Sequence, residues 1–250
     1  WLFLYNMHHI IGDGWSIDVI LKEFQIYYDY FLNGTSQLPV PLRIHYKDYA
    51  QWQNRILRDD SLNSAREYWH KKLAKPRPQA DLPLDFKRGP SFTLDGELLK
   101  FEIRDQLAEK LKKTGIEYNS SLYMVLLSVV NILLHKYSSQ EDIVVGSPVA
   151  GRQHYDLDNQ VGFYINTLVL RNRVTPQTPF REFLRQVNQT LSEALDNQIY
   201  PFDKLVEELD VERVPDRNPL FDVMAAWMVK DGMKMKFSFD SVQATGLSFP

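Results

Sequence analysis

The spacing of apolar positions in the first seventy residues predicts one strand followed by three helices. Residues 2–8 form an apolar run typical of a buried strand, and the glycines in 12–14 predict the turn that ends it. The next apolar residues recur three and four positions apart, as on one face of a helix: Ile17, Ile20, Leu21, Phe24, Tyr28 and Phe31. Residues 46–57 and 61–73 show the same spacing and predict two further helices.

The ends of the first helix also carry recognisable signals. Asp13 or Ser16 can accept hydrogen bonds from the free N–H groups at its start. Gly34, which follows Asn33, is a typical residue just beyond a helix end. We therefore expect this helix to begin directly after the glycine-containing turn.

Proline and glycine suppress regular structure over residues 76–96, which we interpret as a linker between a first part, 1–75, and a second part, 97–250. The second part mixes both periodicities. Its predicted strands are 98–103, 142–148 and 162–170, with a hairpin formed by 220–228 and 234–239 around Asp231-Gly232. Its predicted helices are 105–113, 121–137, one that follows Thr178 with Pro179 at its first position, and 202–209. The pattern favours an α/β or α+β fold with a largely mixed sheet.

Composition narrows the possible functions. The 250 residues contain 29 Lys and Arg against 32 Asp and Glu, a near balance that argues against a nucleic-acid-binding module. There is no cysteine, which excludes disulfide scaffolds, thiolate metal sites and thiol nucleophiles. No apolar run reaches the ~20 residues that a membrane span needs. We expect a cytoplasmic chain that is an internal fragment of a longer polypeptide, since strand-like runs lie near both ends.

Two adjacent histidines, His8 and His9, are the strongest chemical signal. Neighbouring residues of a strand point to opposite faces, so we expect one imidazole to face a cleft and the other to pack inward. Asp13 lies four residues after His9 and can fold back across the turn as an anchor. Gly12 and Gly14 would permit backbone angles that other residues avoid.

His9 suits proton transfer near neutral pH, where a positioned base contributes roughly 10²–10⁴ in rate. No G-x-S-x-G motif supports an acyl-enzyme route, so direct transfer between two bound substrates is favoured. Other interpretations stay open on spacing alone. The histidines can be structural, or His9 and Asp13 can share a metal, although no third ligand is near in sequence. A phosphate-binding loop lacks its lysine.

Residues 8–14 read HHIIGDG, which resembles the HHxxxDG signature of the condensation domains of nonribosomal peptide synthetases. Four later segments resemble further motifs of that family and occur in the family order: YKDYAQWQ at 46–53, VGFYINTLVLR at 161–171, YPFDKLV at 200–206 and RNPLFDVM at 217–224. From the first motif to the last, they span residues 8–224, which is most of the chain.

The resemblance implies a two-lobe fold like that of chloramphenicol acetyltransferase, truncated here at both ends. It implies peptide-bond formation between an acyl or peptidyl thioester on an upstream carrier protein and an aminoacyl thioester on a downstream carrier. Both substrates ride on 4′-phosphopantetheine arms, with no cofactor or metal bound to the domain itself. An adenylation domain would be adjacent. A non-catalytic docking module and a free-standing acyltransferase that uses CoA or a carrier remain alternatives.

The resemblance also implies roles for individual residues. His9 matches the catalytic histidine, whether as a base, an orienting group or a stabiliser of the tetrahedral intermediate. The residues implied to support the motif are His8, Asp13, Gly14 and Arg152, where Arg152 is the arginine within this chain that could pair with Asp13. The residues implied to line the substrate tunnel are Trp15, Ser16, Tyr164 and Asn166.

Overall fold

A computed structural model describes residues 4–34, 37–86, 89, 96–211 and 217–228, and the backbone of 237–239 and 242–244. The helices are α1 (Gly14–Asn33), α2 (Tyr46–Ile56), α3 (Asn63–Lys72), α4 (Asp105–Glu117), α5 (Leu122–Ser138), α6 (Phe180–Asp196) and α7 (Phe202–Glu208). The strands are β1 (Asp142–Val149), β2 (Asn166–Arg173), β3 (Phe237–Phe239) and β4 (Val242–Ala244). Single turns of 3₁₀-helix lie at His9–Ile11, Asp60–Leu62 and Tyr155–Leu157.

The chain forms two compact units, whose boundaries in the sequence differ from those of the two parts predicted above. The histidine unit comprises Trp1–Ser61, Ala150–Ile165 and Trp227–Pro250, and the sheet unit comprises Leu62–Val149 and Asn166–Ala226. Helix α3 belongs to the sheet unit, where it packs against α7. The lobe boundaries proposed from sequence, 1–75 and 97–250 with a linker at 76–96, stay a prediction.

The core of the sheet unit lies between an antiparallel strand pair and two helices. Strands β1 and β2 pair along their whole length, from Asp142↔Arg173 to Val149↔Asn166. Helices α5 and α6 pack against these strands and against each other. Its most deeply buried apolar side chains, all with 0% exposure, are Val145, Leu168, Leu170, Leu184, Val187 and Ala194. Burial of the valine and leucine side chains stabilises the unit by roughly 1.5–3 kcal/mol each.

The predicted helices are confirmed, with small shifts at their ends. Helix α1 begins after Asp13, as its cap predicts, and ends before Gly34, whose φ of 65° is left-handed. Helix α4 extends four residues beyond its predicted end at residue 113. Helix α6 begins at Phe180, so Pro179 is its N-cap and not its first helical residue. The irregular stretch predicted from proline at 76–96 is confirmed where it is described, at 76–86, 89 and 96.

Several strand predictions were wrong. Residues 98–103 form no strand, and Leu99 and Phe101 are more than four-fifths exposed. A strand needs a partner backbone, and no described residue pairs with this segment, so alternation alone was insufficient. Residues 4–8 also lack strand pairing, while 1–3 lie outside the described residues.

The predicted hairpin is corrected in part. Within 220–228 the described pairing is one isolated parallel bridge, Gly146↔Met224. The turn at Asp231-Gly232 lies outside the described residues. Strand β3 instead pairs antiparallel with β4.

In the part of the chain that the structure describes, no single helix has the length and apolar character to cross a bilayer. Helices α4 and α5 pass that test only when they are taken together, and they are bent by 105° relative to each other.

Candidate active site

The two histidines lie on an open turn before α1. His8 is extended and caps the 3₁₀ turn, since its Nδ1 accepts a hydrogen bond from the N–H of Ile10 at 3.1 Å. Both His8 and His9 are exposed. The expectation that one imidazole packs inward was therefore wrong, because the segment is not a strand with two distinct faces. His9 has its ring open to solvent.

The glycines of the motif act differently from the sequence expectation. Gly12 is extended, with a φ of −171° that any residue can adopt. A Cβ there would lie 2.5 Å from the terminal methyl carbon of Met7, so the flexible Met7 side chain would have to shift, and no unusual backbone angle is involved. Gly14 is exposed at the first position of α1 and is not left-handed, and a Cβ at Gly14 would meet open space.

Asp13 caps α1 in the way its position predicts. Its Oδ1 accepts a hydrogen bond from the N–H of Ser16 at 2.9 Å, and Ser16 Oγ accepts one from the N–H of Asp13 at 3.3 Å. This reciprocal capping box satisfies two N–H groups that the helix start leaves free. Both side chains are buried, so the predicted tunnel residue Ser16 contacts the protein interior instead.

Arg152 joins Asp13 and Ser16 in a buried cluster at the start of α1, which we call the anchor. Its Nη2 lies 3.2 Å from Asp13 Oδ1, and the two side chains are 1% and 4% exposed. The guanidinium also donates to the carbonyl oxygens of Gln160, at 2.8 Å, and Leu157. It lies over the ring of Tyr164, with 4.2 Å to the centroid. Arg152, the candidate partner within this chain, thus pairs with Asp13.

The charge state of Asp13 follows from these contacts. Burial by itself would raise the pKa of its carboxyl. Hydrogen bonds from Ser16 and the N–H of Tyr164, with the positive charge of Arg152, outweigh burial and hold the pKa below its usual value. Asp13 is therefore an anion at neutral pH, committed to the anchor and not to proton transfer.

The same anchor holds residues 162–164 against the start of α1. Ser16 Oγ accepts a hydrogen bond from the N–H of Gly162 at 3.1 Å. The Ser16 hydroxyl lies 2.8 Å from the Gly162 carbonyl oxygen and 2.7 Å from Asp13 Oδ1, so its single proton serves one of them at a time. The N–H of Tyr164 donates to Asp13 Oδ2 at 3.2 Å. These bonds explain why the predicted strand 162–170 begins only at Asn166.

Gly151 allows this docking through its own backbone. Its φ is +67°, and a Cβ would lie 1.9 Å from the Tyr164 carbonyl oxygen. Only glycine fits a left-handed position so close to another main chain. The indole N–H of Trp15 donates to the Asp158 carbonyl oxygen at 2.8 Å and ties a second point of the same segment to α1. Trp15 is still 46% exposed, so its ring remains accessible.

Tyr164, expected to face substrate, is instead 3% exposed. Its hydroxyl donates to Gln160 Oε1 at 2.6 Å, and its ring lies 4.7 Å from that of Tyr49. Burial raises the pKa of Tyr164 to about 12. Its described contacts hold the histidine unit together.

Sequence reasoning missed Phe163 and Tyr46. The Phe163 ring lies 5.3 Å from the His9 ring, edge to face at 71°. Tyr46 Oη donates to the Phe163 carbonyl oxygen at 3.0 Å. Both residues fall within the recognised motifs at 46–53 and 161–171, and this was the signal in the sequence that could have pointed to them. Their contact could not be predicted, because no spacing rule connects segments so far apart.

Asn166 belongs to the sheet unit and binds main-chain groups. Its Nδ2 donates to the carbonyl oxygens of Gln198 and Tyr200, both at 2.8 Å. Its Oδ1 accepts from the N–H groups of Thr167, at 2.8 Å, and Phe202, at 3.0 Å. The amide thus fixes the turn that leads into α7, although sequence analysis expected it to line a substrate tunnel.

Among the described residues, no group of three or more His, Asp or Glu side chains is arranged to hold a metal ion. The exposed side chains next to the anchor include His9, Trp15 and Phe163. An exposed imidazole can exchange a proton with a substrate or form a hydrogen bond to it, so the arrangement fits acid–base or positioning chemistry at His9.

Comparisons with known proteins identify the family. A family model described as a condensation domain matches residues 1–247. Gramicidin S synthase 2 from Aneurinibacillus migulanus is 44% identical over 224 residues, which make up 90% of this chain and 5% of the synthetase. The chain thus spans only about a twentieth of that curated relative.

Solved structures share the fold. A holo four-domain nonribosomal peptide synthetase bound to AMP and glycine superimposes with a TM-score of 0.80 at 27% identity, covering 91% of this chain and 17% of that one. The first condensation domain of the CDA synthetase gives 0.70 at 21% identity, covering 84% and 46%. This chain belongs to the condensation-domain family of nonribosomal peptide synthetases and has the chloramphenicol acetyltransferase-like α/β fold expected from its sequence.

Proposed function

We propose that the domain containing this chain forms a peptide bond between two carrier-bound substrates. The α-amine of the aminoacyl thioester on the downstream carrier attacks the thioester carbonyl of the acyl or peptidyl donor on the upstream carrier. A C–N bond forms, the C–S bond breaks, and the amine proton ends on the released pantetheine thiol. The family membership supports this reaction class.

One observation carries the proposal at the residue level. The exposed His9 ring sits on the short turn immediately before α1, and the buried Asp13–Arg152 pair fixes the start of that helix. The anchor is thus kept away from solvent while the imidazole is left open. Such a separation favours a structural role for Asp13 and a reacting or orienting role for His9.

His9 can serve the reaction in three ways. It can take the amine proton, orient the amine by a hydrogen bond, or stabilise the tetrahedral intermediate. Positioning two reactants together is worth roughly 7–11 kcal/mol of barrier, so the domain would gain most from holding both arms in place. His8, which caps the turn, and Gly14 would support His9, while the exposed Trp15 would contact substrate.

The proposal implies partners but no bound cofactor. The 4′-phosphopantetheine arms would be supplied by upstream and downstream peptidyl carrier domains, with an adenylation domain adjacent. The multidomain synthetases among the relatives support this arrangement. A cytoplasmic location stays a prediction.

A condensation assay tests the proposal. The complete protein that carries this chain would be mixed with one acyl-loaded and one aminoacyl-loaded carrier, and the peptidyl carrier product would be followed by mass spectrometry. We expect His9→Ala to lower the rate of product formation by at least ~10² because a base or orienting group is lost.

His45→Ala is the matched control, since His45 is also exposed, lies in the same unit and is outside the motif. Its rate should equal that of the unaltered protein. Unchanged turnover in His9→Ala would refute a catalytic His9. Carrier binding without any condensation by the unaltered protein would support the non-catalytic docking alternative, and transfer from free CoA thioesters would support a free-standing acyltransferase.

A further inference from the structure

An exposed imidazole on a surface turn needs something to fix its ring plane. His8 uses Nδ1 to cap its own turn, but the described ring contact of His9 is with Phe163, far along the chain. The two centroids are 5.3 Å apart and the planes meet at 71°. Aromatic rings prefer this edge-to-face arrangement because the electron-rich face of one meets the electron-poor edge of the other.

Phe163 is itself firmly held. Its carbonyl oxygen accepts the Tyr46 hydroxyl at 3.0 Å, and the next N–H, that of Tyr164, donates to Asp13 Oδ2 at 3.2 Å. The peptide group that joins Phe163 to Tyr164 is thus held through both its carbonyl oxygen and its N–H. Asp13 also caps the helix that directly follows the His9 turn.

The preceding residue adds a third fastening. Gly162 exchanges hydrogen bonds with the buried Ser16 hydroxyl. A Cβ on Gly162 would lie 2.3 Å from the ring of Tyr46, so the loop approaches α2 as closely as a glycine permits. Phe163, which is 38% exposed, therefore extends its ring to the His9 ring from a loop held by hydrogen bonds.

We propose that Phe163 is a positioning residue that sets the orientation of the His9 imidazole. The inference rests on the proposed function, in which His9 faces the reacting groups. Phe163 touches His9 and acts through it. Displacement of a catalytic group by about 1 Å can lower the rate by a factor of roughly 10². Loss of the ring contact should therefore lower the turnover rate.

The first measurement is kinetic and uses the complete protein with loaded carriers. We expect Phe163→Leu to lower kcat by roughly 10- to 100-fold while KM for both carriers changes less than about twofold. Phe163→Tyr keeps the ring and should restore kcat to within about twofold. Phe180→Leu is the matched control, since Phe180 is 36% exposed and belongs to the sheet unit, and it should leave kcat unchanged.

A double-mutant cycle then asks whether Phe163 acts through His9. If it does, His9→Ala combined with Phe163→Leu is no slower than His9→Ala alone. A further loss in the double variant would overturn the inference, because Phe163 would then act independently of the imidazole. Unchanged kcat in Phe163→Leu would overturn it as well.

A spectroscopic measurement separates this inference from the proposed function. In the full chain with isotope-labelled histidine, the His9 ring signals are assigned by their loss in His9→Gln. Phe163→Leu should shift them, since a nearby aromatic ring alters the local magnetic field, whereas Phe163→Tyr should not. If His9→Ala leaves turnover unchanged, the proposed catalytic role of His9 fails, and the spectra still decide the ring contact. Identical His9 signals in all three proteins would overturn the inference.

Discussion

Asp13 Oδ1 and Arg152 Nη2 form an ion pair 3.2 Å apart between residues that are 139 positions apart in sequence. Both side chains are almost completely buried. The pair joins the start of α1 to the segment that carries Phe163, so it sets the surroundings of His9 without touching it.

Removal of either partner should destabilise the protein strongly. Asp13→Ala and Arg152→Met each leave an uncompensated buried charge, which typically costs about 3–5 kcal/mol. Urea unfolding would measure the change. The pair of Arg43 and Asp156, 3.7 Å apart, supplies the control because the Arg43 side chain is 70% exposed, and Arg43→Met should cost about 1 kcal/mol or less. An Asp13→Ala protein that is fully stable but inactive would instead indicate direct chemistry at Asp13.

The anchor should also make stability depend on pH in the acid range. The folded-state pKa of Asp13 is lowered from 3.8, so its contribution is fully present above the unfolded-state value and is lost as the pH falls through the folded-state value. The free energy of unfolding of the unaltered protein minus that of Asp13→Asn should therefore shrink between about pH 5 and pH 2.

The Asp13→Asn comparison removes background from other carboxyls. Glu208 also has a lowered pKa, because hydrogen bonds from Arg66, His70 and Tyr200 outweigh the effect of burial. Glu208 titrates equally in the unaltered protein and in Asp13→Asn, so its contribution cancels in the difference between their free energies of unfolding. A difference that stays constant down to about pH 2 would contradict the assigned role of the Asp13 charge.

Two left-handed glycines offer a matched test of main-chain docking. Gly34 has a φ of +65° and open space around its missing Cβ, so Gly34→Ala should cost only the backbone strain of roughly 1–2 kcal/mol. Gly151 has a φ of +67°, and its Cβ would collide with the Tyr164 carbonyl oxygen. Gly151→Ala should cost roughly 3 kcal/mol or more, since overpacking adds to strain. Equal melting temperatures for the two variants would show that the loop moves freely.

Asn166 should affect stability more than substrate binding. Asn166→Ala leaves two carbonyl groups and two N–H groups without their partner, which should cost roughly 2–4 kcal/mol in unfolding free energy. Asn54→Ala, on the exposed surface of α2, should change it by less than about 0.5 kcal/mol. An unchanged unfolding midpoint with an altered KM would restore the tunnel-lining role that sequence analysis expected.

Local patterns were enough to predict the helices. The helix signals are the capping residue Asp13, the left-handed Gly34 and the apolar spacing of three and four residues. Each depends on interactions between residues a few positions apart, so the sequence alone shows it. The β1 strand was predicted for a similar reason, because its Val-rich run suits a buried strand.

Strands and site contacts depended on distant residues. Residues 98–103 alternate like a strand but have no described partner, while 162–164 leave the expected strand because Asp13 and Ser16 bind their main chain. A sequence cannot show which backbone will lie beside another, since hydrogen-bond partners are chosen by the packing of the whole unit.

The sequence by itself determined the family, because the motif order is a linear property, and it predicted the helix cap at Asp13. The role of His9 stays a prediction. Tertiary structure alone decided that both histidines are exposed, that Tyr164 and Ser16 are buried, and that Phe163 contacts His9. Exposure and contact are set by what folds over a residue, and here the covering segment comes from more than a hundred positions away.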